Sequence, residues 1–142
     1  MICIDSNILI YAFNEASEFN KQAKNIIKNK IHFGKIAICD ISLVEFFQII
    51  TDKKRLEKSL NTDTAQKIIQ TITENECFNV LYTNKEIYSN FFETAIKYNI
   101  KKYEIYDHII AFTCKFHNID ELITMNIKDF KKYEFFKLTN PF

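Results

Sequence analysis

Glycine is nearly absent from this chain, since Gly34 is the only one among its 142 residues. A P-loop, a dinucleotide-binding G-x-G-x-x-G turn and a G-x-S-x-G nucleophile elbow each need at least two glycines. The sequence therefore excludes all three kinds of site. If this protein acts on phosphate groups, a metal ion and lysine side chains must contact them.

Sites built from closely spaced cysteines are not expected, because none of the four cysteines forms a C-x-x-C pair. Cys3 and Cys39 lie in predicted core strands, where cysteine behaves as a small hydrophobic residue in a reducing compartment. We therefore expect neither a disulfide framework nor a zinc site.

Membrane insertion and secretion are not expected either. No uncharged apolar segment has the length that a membrane span requires. The N-terminus lacks the basic region of a signal peptide, and Asp5 interrupts its apolar run. These features predict a cytoplasmic protein with no membrane partner.

The composition is that of an ordinary globular protein, with 47% hydrophobic and 26% charged residues. At this length the chain is expected to fold as a single domain, residues 1–142, and to bury about two-thirds of its surface. The net charge of +1 gives no indication of a partner.

Segments of two apolar periodicities alternate along the chain. Short apolar runs predict buried strands at residues 1–5, 36–39, 78–82, 122–124 and 135–138. Apolar residues three and four apart predict helices at about residues 7–13, 17–30, 40–52, 62–75, 84–98 and 104–117. Ser17 and Thr62 are the expected N-caps of two of these helices. This alternation predicts an α/β fold with a parallel sheet of four to five strands and helices on both faces.

Three acidic side chains interrupt strongly apolar segments. Asp5 closes the first predicted strand, Glu45 lies inside an apolar helix, and Asp107 begins another. An ionised carboxylate that is buried without a partner costs on the order of several kcal/mol. A divalent cation is the simplest counter-charge that three distant acids could share. Asp5 is also expected at the carboxyl end of its strand, which is where open α/β sheets place their chemistry.

Each acid except Asp5 also has a ready structural interpretation. Glu45 could face solvent along a narrow stripe shared with Gln48. An aspartate in the first turn of a helix, such as Asp107, favours the helix dipole. Asp129 fits a turn or a helix cap. Taken singly, Glu45 and Asp129 are better explained in this way, and Asp107 is explained equally well by either interpretation.

Four sequence features occur along the chain that, taken together and in order, carry a resemblance to a known family. They are D-x-N-I-L-I-Y at residues 5–11, a glutamate in the apolar helix after the second strand, Y-D-x-I-I-A at 106–111 and T-x-N-x-x-D-F at 124–130. The sequence resembles the PIN domain family over nearly its full length, and especially its small bacterial members, the VapC-type toxins of toxin–antitoxin pairs. Residues 52–100 carry no motif.

The resemblance implies a PIN-like, Rossmann-like sheet with an acidic pocket that binds Mg²⁺ or Mn²⁺ at its C-terminal edge. It carries catalytic and metal-binding roles over to four acids: Asp5, Glu45, Asp107 and Asp129. Asn7 would steady the first aspartate, and Thr124 would line the pocket. Asn126 is a departure, because many relatives have a further acid nearby, and an amide is a poorer ligand for a hard cation. The sequence leaves open whether Asn126 or Asp129 faces the metal.

The activity implied by the resemblance is metal-dependent hydrolysis of RNA phosphodiester bonds by an endoribonuclease toxin. A cognate antitoxin and a homodimer are the implied protein partners. Carboxylate oxygens suit a hard cation, which would orient and acidify the attacking water. Tyr103 and Tyr106 are candidates for stacking on a base. Five lysines are candidates for following the RNA backbone: Lys101, Lys102, Lys128, Lys131 and Lys132.

Two other functions stay open at the level of sequence. The first is a catalytically idle PIN-like module that binds RNA or a protein, which the amide at Asn126 favours and the retention of four acids disfavours. The second is a metal-dependent phosphatase that begins at Asp5. That pattern commonly has a second acid where this chain has Asn7.

Overall fold

The computed structural model describes residues 1–142, in which five parallel strands form one sheet with the order β3-β2-β1-β4-β5. The strands are β1 (Ile2–Ile4), β2 (Ile36–Cys39), β3 (Phe78–Leu81), β4 (Glu121–Ile123) and β5 (Lys137–Thr139). The helices are α1 (Ser6–Phe13), α2 (Asn20–Phe33), α3 (Asp40–Thr51), α4 (Thr62–Glu74), α5 (Lys85–Lys97), α6 (Glu104–Phe116) and α7 (Ile127–Phe130). None of the helices combines the length and the apolar character that crossing a bilayer requires.

The centre of the sheet is β1, which pairs with β2 on one side and with β4 on the other. The chain first builds outward from β1 to β3, and then returns to lay β4 against the opposite edge of β1. Where strand order reverses in this way, open α/β sheets form a crevice outside the carboxyl ends of the strands. Asp5 directly follows β1 and Thr124 directly follows β4, so both residues lie at this reversal.

The central strands β1, β2 and β4 are buried on both faces, which explains why they appear as continuous apolar runs in the sequence. Cys3 and Leu122 belong to a core that includes side chains of α5, α6 and α7. Ile4 and Ile123, one residue further along each strand, belong to a second core that is packed by α1, α2, α3 and α4. Helices therefore cover both faces of the sheet, and the predicted fold class is confirmed.

Local boundaries differ from the sequence prediction at both predicted caps. Asn61 rather than Thr62 caps α4, accepting the backbone N–H of Thr64 at 2.8 Å. Helix α2 begins at Asn20, and Ser17 instead accepts the backbone N–H of Phe19 in the preceding turn. Short polar residues compete for both positions, so composition alone did not separate a cap from a turn.

The C-terminal segment holds the other differences. The single-turn helix α7 was not predicted, because four residues are too few to show a helical period. The last strand occupies Lys137–Thr139 rather than 135–138. Phe135 and Phe136 are apolar because they pack against the core under α6, whereas pairing with β4 begins only at Lys137, opposite Glu121.

Candidate active site

Asp5 is held at the junction of β1 and α1. Its side chain is nearly inaccessible, at 3% exposure, and its backbone N–H donates to the carbonyl of Ile123 in β4 at 3.0 Å. It is the N-cap of α1, where its Oδ1 accepts the backbone N–H of Ser6 at 2.7 Å. An N-cap carboxylate satisfies an N–H that the helix itself cannot pair. The strand-to-helix turn therefore fixes this acid at the carboxyl edge of the sheet.

Asn7 and Thr124 hold the other carboxylate oxygen of Asp5. Its Oδ2 accepts the side-chain amide of Asn7 at 2.6 Å and the hydroxyl of Thr124 at 2.7 Å. Each of these residues is fixed in turn by the β4–α7 segment. Asn7 accepts the backbone N–H of Met125 at 3.3 Å, and Thr124 accepts that of Asn126 at 2.9 Å. The Asp5 carboxylate is thus oriented by hydrogen bonds that join β1 and β4.

A cleft of about 370 Å³ opens between α3 and the N-terminal part of α6. Helix α3 contributes Glu45 to its wall, α6 contributes Asp107, and the β4–α7 segment contributes both Asn126 and Asp129. Asp5 is not part of this lining, but it lies close enough to raise the pKa of Asp107 through its negative charge. The structure therefore brings all four predicted acids to one region of the molecule.

Glu45 is exposed rather than buried, which differs from the setting that its apolar neighbours in sequence indicated. Helix α3 packs Leu43, Phe46 and Ile50 into the core and leaves a stripe that includes Glu45 and Gln48 in the cleft wall. The solvent-facing interpretation of this stripe is correct for its exposure. The stripe nevertheless faces the cleft that Asp107 and Asp129 also line.

Ser6 links two of the acids and was missed by the sequence analysis. Its backbone N–H donates to Asp5 Oδ1, and its hydroxyl donates to Glu45 Oε2 at 2.6 Å. The serine is buried, with 3% exposure. A serine after an N-cap is unremarkable in a sequence, and the glutamate that it contacts lies 39 residues further along. Only the packing of α1 against α3 reveals the contact.

The acids raise the proton affinity of their own site. Burial, and after it the negative charges of Asp5, Asp129 and Glu45, together raise the pKa of Asp107 to about 7 against the opposing charge of Lys132. Burial likewise raises the pKa of Asp5 to about 6, with Glu45 adding to the effect and the hydrogen bonds from Thr124 and Ser6 opposing it. Such shifts indicate negative charge that the surrounding protein does not neutralise.

The donor set fits a hard divalent cation. All four side chains offer carboxylate oxygens, which Mg²⁺ and Mn²⁺ prefer, and uncompensated negative charge favours a cation. No three of these acids bring oxygen atoms within 4.8 Å of one another. That spacing suits an ion that keeps part of its water shell and takes only one or two carboxylates directly.

His108, the neighbour of Asp107, points away from the cleft and into the core. It is fully buried, with Nδ1 2.9 Å from the Tyr133 hydroxyl and Nε2 3.2 Å from the Phe91 carbonyl. Because a carbonyl only accepts, Nε2 carries the proton and Tyr133 donates to Nδ1. Burial lowers the pKa of His108, which keeps the ring neutral. His108 thereby ties α6 to α5 and to the segment that follows α7.

The remaining candidates divide between the rim of the cleft and sites outside it. Tyr103 and Tyr106 line the cleft, and so does Arg55, which the sequence analysis did not select. Arg55 lies in a loop that carries no motif, and the only feature that distinguishes it in the sequence is that it is the single arginine. None of the five candidate lysines lines the cleft, and Lys132 pairs with Glu104 at 3.1 Å. Their contact with RNA stays a prediction.

Three of the four cysteines meet in the core, which no sequence spacing indicated. The sulfur atoms of Cys3, Cys39 and Cys114 all lie within 4.8 Å of one another, and all three residues are fully buried. They come from β1, β2 and α6, so only the fold brings them together. Their neighbours are the apolar side chains of the core under α6, where cysteine packs as a small hydrophobic residue.

Comparisons with known proteins give consistent results. The sequence model of the PIN domain matches residues 2–136. Ribonuclease VapC24 from Mycobacterium tuberculosis is 26% identical over 141 residues, which cover 99% of this chain and 97% of the relative. The crystal structure of VapBC2 from Rickettsia felis, bound to a DNA fragment from their promoter, includes a similar chain with a TM-score of 0.70, 23% identity and coverage of 99% and 98%. A toxin–antitoxin complex from Klebsiella pneumoniae includes another, with a TM-score of 0.64, 21% identity and coverage of 100% and 98%.

Proposed function

Because the chain belongs to the PIN domain family, as the order of its motifs indicated, we propose that it is a divalent-metal-dependent endoribonuclease and the toxin of a toxin–antitoxin pair. The observation that carries this proposal is the gathering of four acids around one cleft at the carboxyl edge of the sheet. A cleft of carboxylates alone repels a phosphodiester, so a cation is needed before the substrate can approach.

Asp5, Glu45, Asp107 and Asp129 would hold Mg²⁺ or Mn²⁺, one or two of them directly and the others through its bound water, and the ion would supply an acidified water and polarise the phosphoryl oxygen. The amide at Asn126 would make any second ion bind more loosely than the first. Similarity to a protein named as a ribonuclease favours RNA as the substrate. An enzyme of this kind would act in the cytoplasm, where its RNA substrates are.

The chain's own residues would position the reacting groups. Asn7 and Thr124 fix the rotamer of Asp5, so that this side chain loses little conformational entropy when it binds the cation. Ser6 occupies Oε2 of Glu45, which leaves Oε1 free to accept a hydrogen bond from the attacking water. Asp107, whose pKa the metal-free site raises to about 7, would give up its proton when the cation binds.

We propose that the chain binds two protein partners, a cognate antitoxin and a second copy of itself. Membership of the family and similarity to a chain of a toxin–antitoxin complex favour a cognate antitoxin. A homodimer is favoured by an apolar stripe on α5, where Tyr88, Phe92 and Ile96 are spaced four residues apart and are 46%, 61% and 87% exposed. Monomeric proteins rarely leave such a contiguous apolar face open to water.

The decisive experiment is incubation of the purified, folded protein with total RNA in Mg²⁺ or Mn²⁺. We expect cleavage that EDTA abolishes and that Asp5→Asn abolishes without loss of the fold. Glu86→Gln, which removes an acid in the first turn of α5 away from the cleft, should cleave like the wild type. Folded protein that cuts no RNA with either ion would rule out the nuclease.

One observation favours a second candidate, the catalytically idle module. Asn126 lines the cleft with an amide where an acid would strengthen metal binding. Such a module would bind RNA or a protein in the same cleft, and its binding would not depend on Mg²⁺ or Mn²⁺. RNA binding without cleavage in the incubation above would select this function.

A further inference from the structure

Two tyrosines stand beside the acids with their rings free. Tyr103 precedes the first turn of α6 and Tyr106 lies within it, so the two rings, three residues apart, share one side of the helix end. They are 82% and 52% exposed, neither packs against another aromatic ring, and neither hydroxyl has a hydrogen-bond partner in the chain. Both line the cleft next to Asp107. The fold itself therefore makes little use of these rings.

Arg55 belongs to the opposite wall of the cleft. It follows the C-terminal end of α3, the helix that carries Glu45, whereas the tyrosines lie on α6 with Asp107. Its side chain is exposed and forms no ion pair or hydrogen bond within the chain, even though acids share the same cleft. A free guanidinium presents a planar fork of donors that matches the oxygens of a phosphate group.

We propose that Tyr103, Tyr106 and Arg55 form a strand-binding rim, in which the rings stack on a base of an unpaired RNA strand and the guanidinium contacts a backbone phosphate. The proposal rests on the proposed nuclease function and adds to it the residues that hold the strand beside the acids. Bases in a duplex already stack on each other and present only their edges, so exposed rings favour an unpaired strand. Glu45, Asp107 and Asp129 line the same cleft as the rim, so a strand held by the rim would lie beside them.

Stacking is tested by binding rather than by cleavage. The Asp107→Asn variant serves as the parent, titrated with a short unpaired RNA that contains the fluorescent base 2-aminopurine, whose emission falls when it stacks. We expect Tyr103→Ala and Tyr106→Ala each to weaken binding by roughly 5- to 100-fold and to restore the emission. Tyr→Phe at either position should retain both properties, because the ring and not the hydroxyl does the stacking.

Controls separate the rim from general surface effects. Tyr82→Ala removes an exposed tyrosine that follows β3 and lies outside the cleft, and it should bind like the parent. The same RNA annealed to its complement should bind more weakly than the unpaired strand. For the phosphate contact, Arg55→Ala should make the plot of log affinity against log salt concentration less steep by about 0.7, the value for one contact to a single strand. Lys58→Ala, an exposed cation that lines a different cavity, should leave that slope unchanged.

These outcomes distinguish the strand-binding rim from the proposed nuclease function. If a Tyr103→Ala/Tyr106→Ala variant binds the unpaired strand as tightly as the parent, if duplex binds equally well, or if the parent binds neither, the strand-binding rim is wrong. Cleavage by the wild type together with unaltered binding by the rim variants would leave the nuclease standing and remove the rim. RNA binding that depends on the two rings, together with no cleavage by the wild type, would remove the nuclease and leave the rim standing.

Discussion

Ser6 donates its hydroxyl hydrogen to Glu45 at 2.6 Å, which joins the start of α1 to the middle of α3. The same serine donates its backbone N–H to Asp5, so one residue fixes the relative positions of two acids from different parts of the chain. Both contacts join groups of the protein itself. The spacing of these two carboxylates is therefore set by the protein before any cation binds, which reduces the reorganisation that binding requires.

Replacing the linking hydroxyl should impair catalysis more than stability. Ser6→Ala removes the donor to Glu45 while the backbone donor to Asp5 remains, so we expect RNA cleavage to fall by about 10- to 100-fold, equivalent to a charged hydrogen bond of roughly 1.5–3 kcal/mol. Thermal unfolding should change by only a few degrees. Initial cleavage rates and a melting curve measure the two effects.

The matched control is Ser42→Ala in the same region of the fold. Ser42 is also a fully buried serine, but its hydroxyl has no hydrogen-bond partner. Its removal should leave the cleavage rate unchanged and should not lower stability, because a buried hydroxyl without a partner is itself unfavourable. Equal loss of activity in both serine variants would mean that the Ser6–Glu45 contact has no special role.

The raised pKa of Asp107 predicts how stability depends on pH. The carboxyl group has an ordinary pKa of 3.8, and the folded protein raises this pKa to about 7, chiefly through burial. Between these values the folded chain binds a proton that the unfolded chain has lost, so the contribution of Asp107 to stability is full below about pH 4 and is lost as the pH rises to 7. Asp107→Asn cannot ionise. Without divalent ions, its melting temperature should therefore exceed that of the wild type by a margin that grows from pH 4 to pH 7 and then stays constant.

Mg²⁺ should offset the loss of stability that ionised Asp107 causes in the wild type, and Asp107→Asn has no such loss to offset. A bound cation compensates the negative charge, so added Mg²⁺ should raise the melting temperature of the wild type more at pH 8 than at pH 5, where protons compete for the same oxygens. Asp107→Asn should respond less at either pH. An equal response of both proteins would remove Asp107 from the proposed metal site.

Tyr133 should support the site at a distance through His108. Tyr133→Phe removes the hydroxyl that donates to Nδ1 and leaves a buried acceptor unpaired, at a cost of roughly 1–3 kcal/mol. Because that contact joins the helix of Asp107 to the segment after Asp129, we also expect weaker Mg²⁺ binding. Tyr98→Phe is the control, since its ring packs 5.4 Å from His108 but its hydroxyl makes no hydrogen bond. Mg²⁺ titrations that show the same affinity for both variants would limit Tyr133 to a structural role.

The sequence was informative wherever an apolar run ended in a polar residue. Asp5 and Thr124 were predicted as the last residues of their strands, and each lies directly after its strand in the structure, because β1 and β4 are buried apolar runs that end at these polar residues. Their proximity, however, depends on β4 pairing with β1 across a separation of about 120 residues, and no local pattern specifies strand order. The resemblance to a family supplied that information, which periodicity could not.

The exposure of Glu45 shows where periodicity misled. Apolar residues surround it so closely in sequence that its helix should be packed on most sides, yet Val44 is 63% exposed and Glu45 faces the cleft. The cause is tertiary, because a cleft opens between α3 and the N-terminal part of α6. Clefts depend on the arrangement of helices, whereas sequence patterns report only the composition of each helix.

The apolar stripe on α5 provides a test of assembly. In a homodimer it would be covered by its counterpart, so Phe92→Glu combined with Ile96→Glu should convert the dimer to a monomer in sedimentation velocity, since two charges cannot be buried there without partners. Phe33→Glu changes a phenylalanine on α2 that is 87% exposed, and it should stay dimeric. A wild type that sediments as a monomer at micromolar concentration would show that the homodimer is wrong. A double variant that remains dimeric would show that another surface forms it.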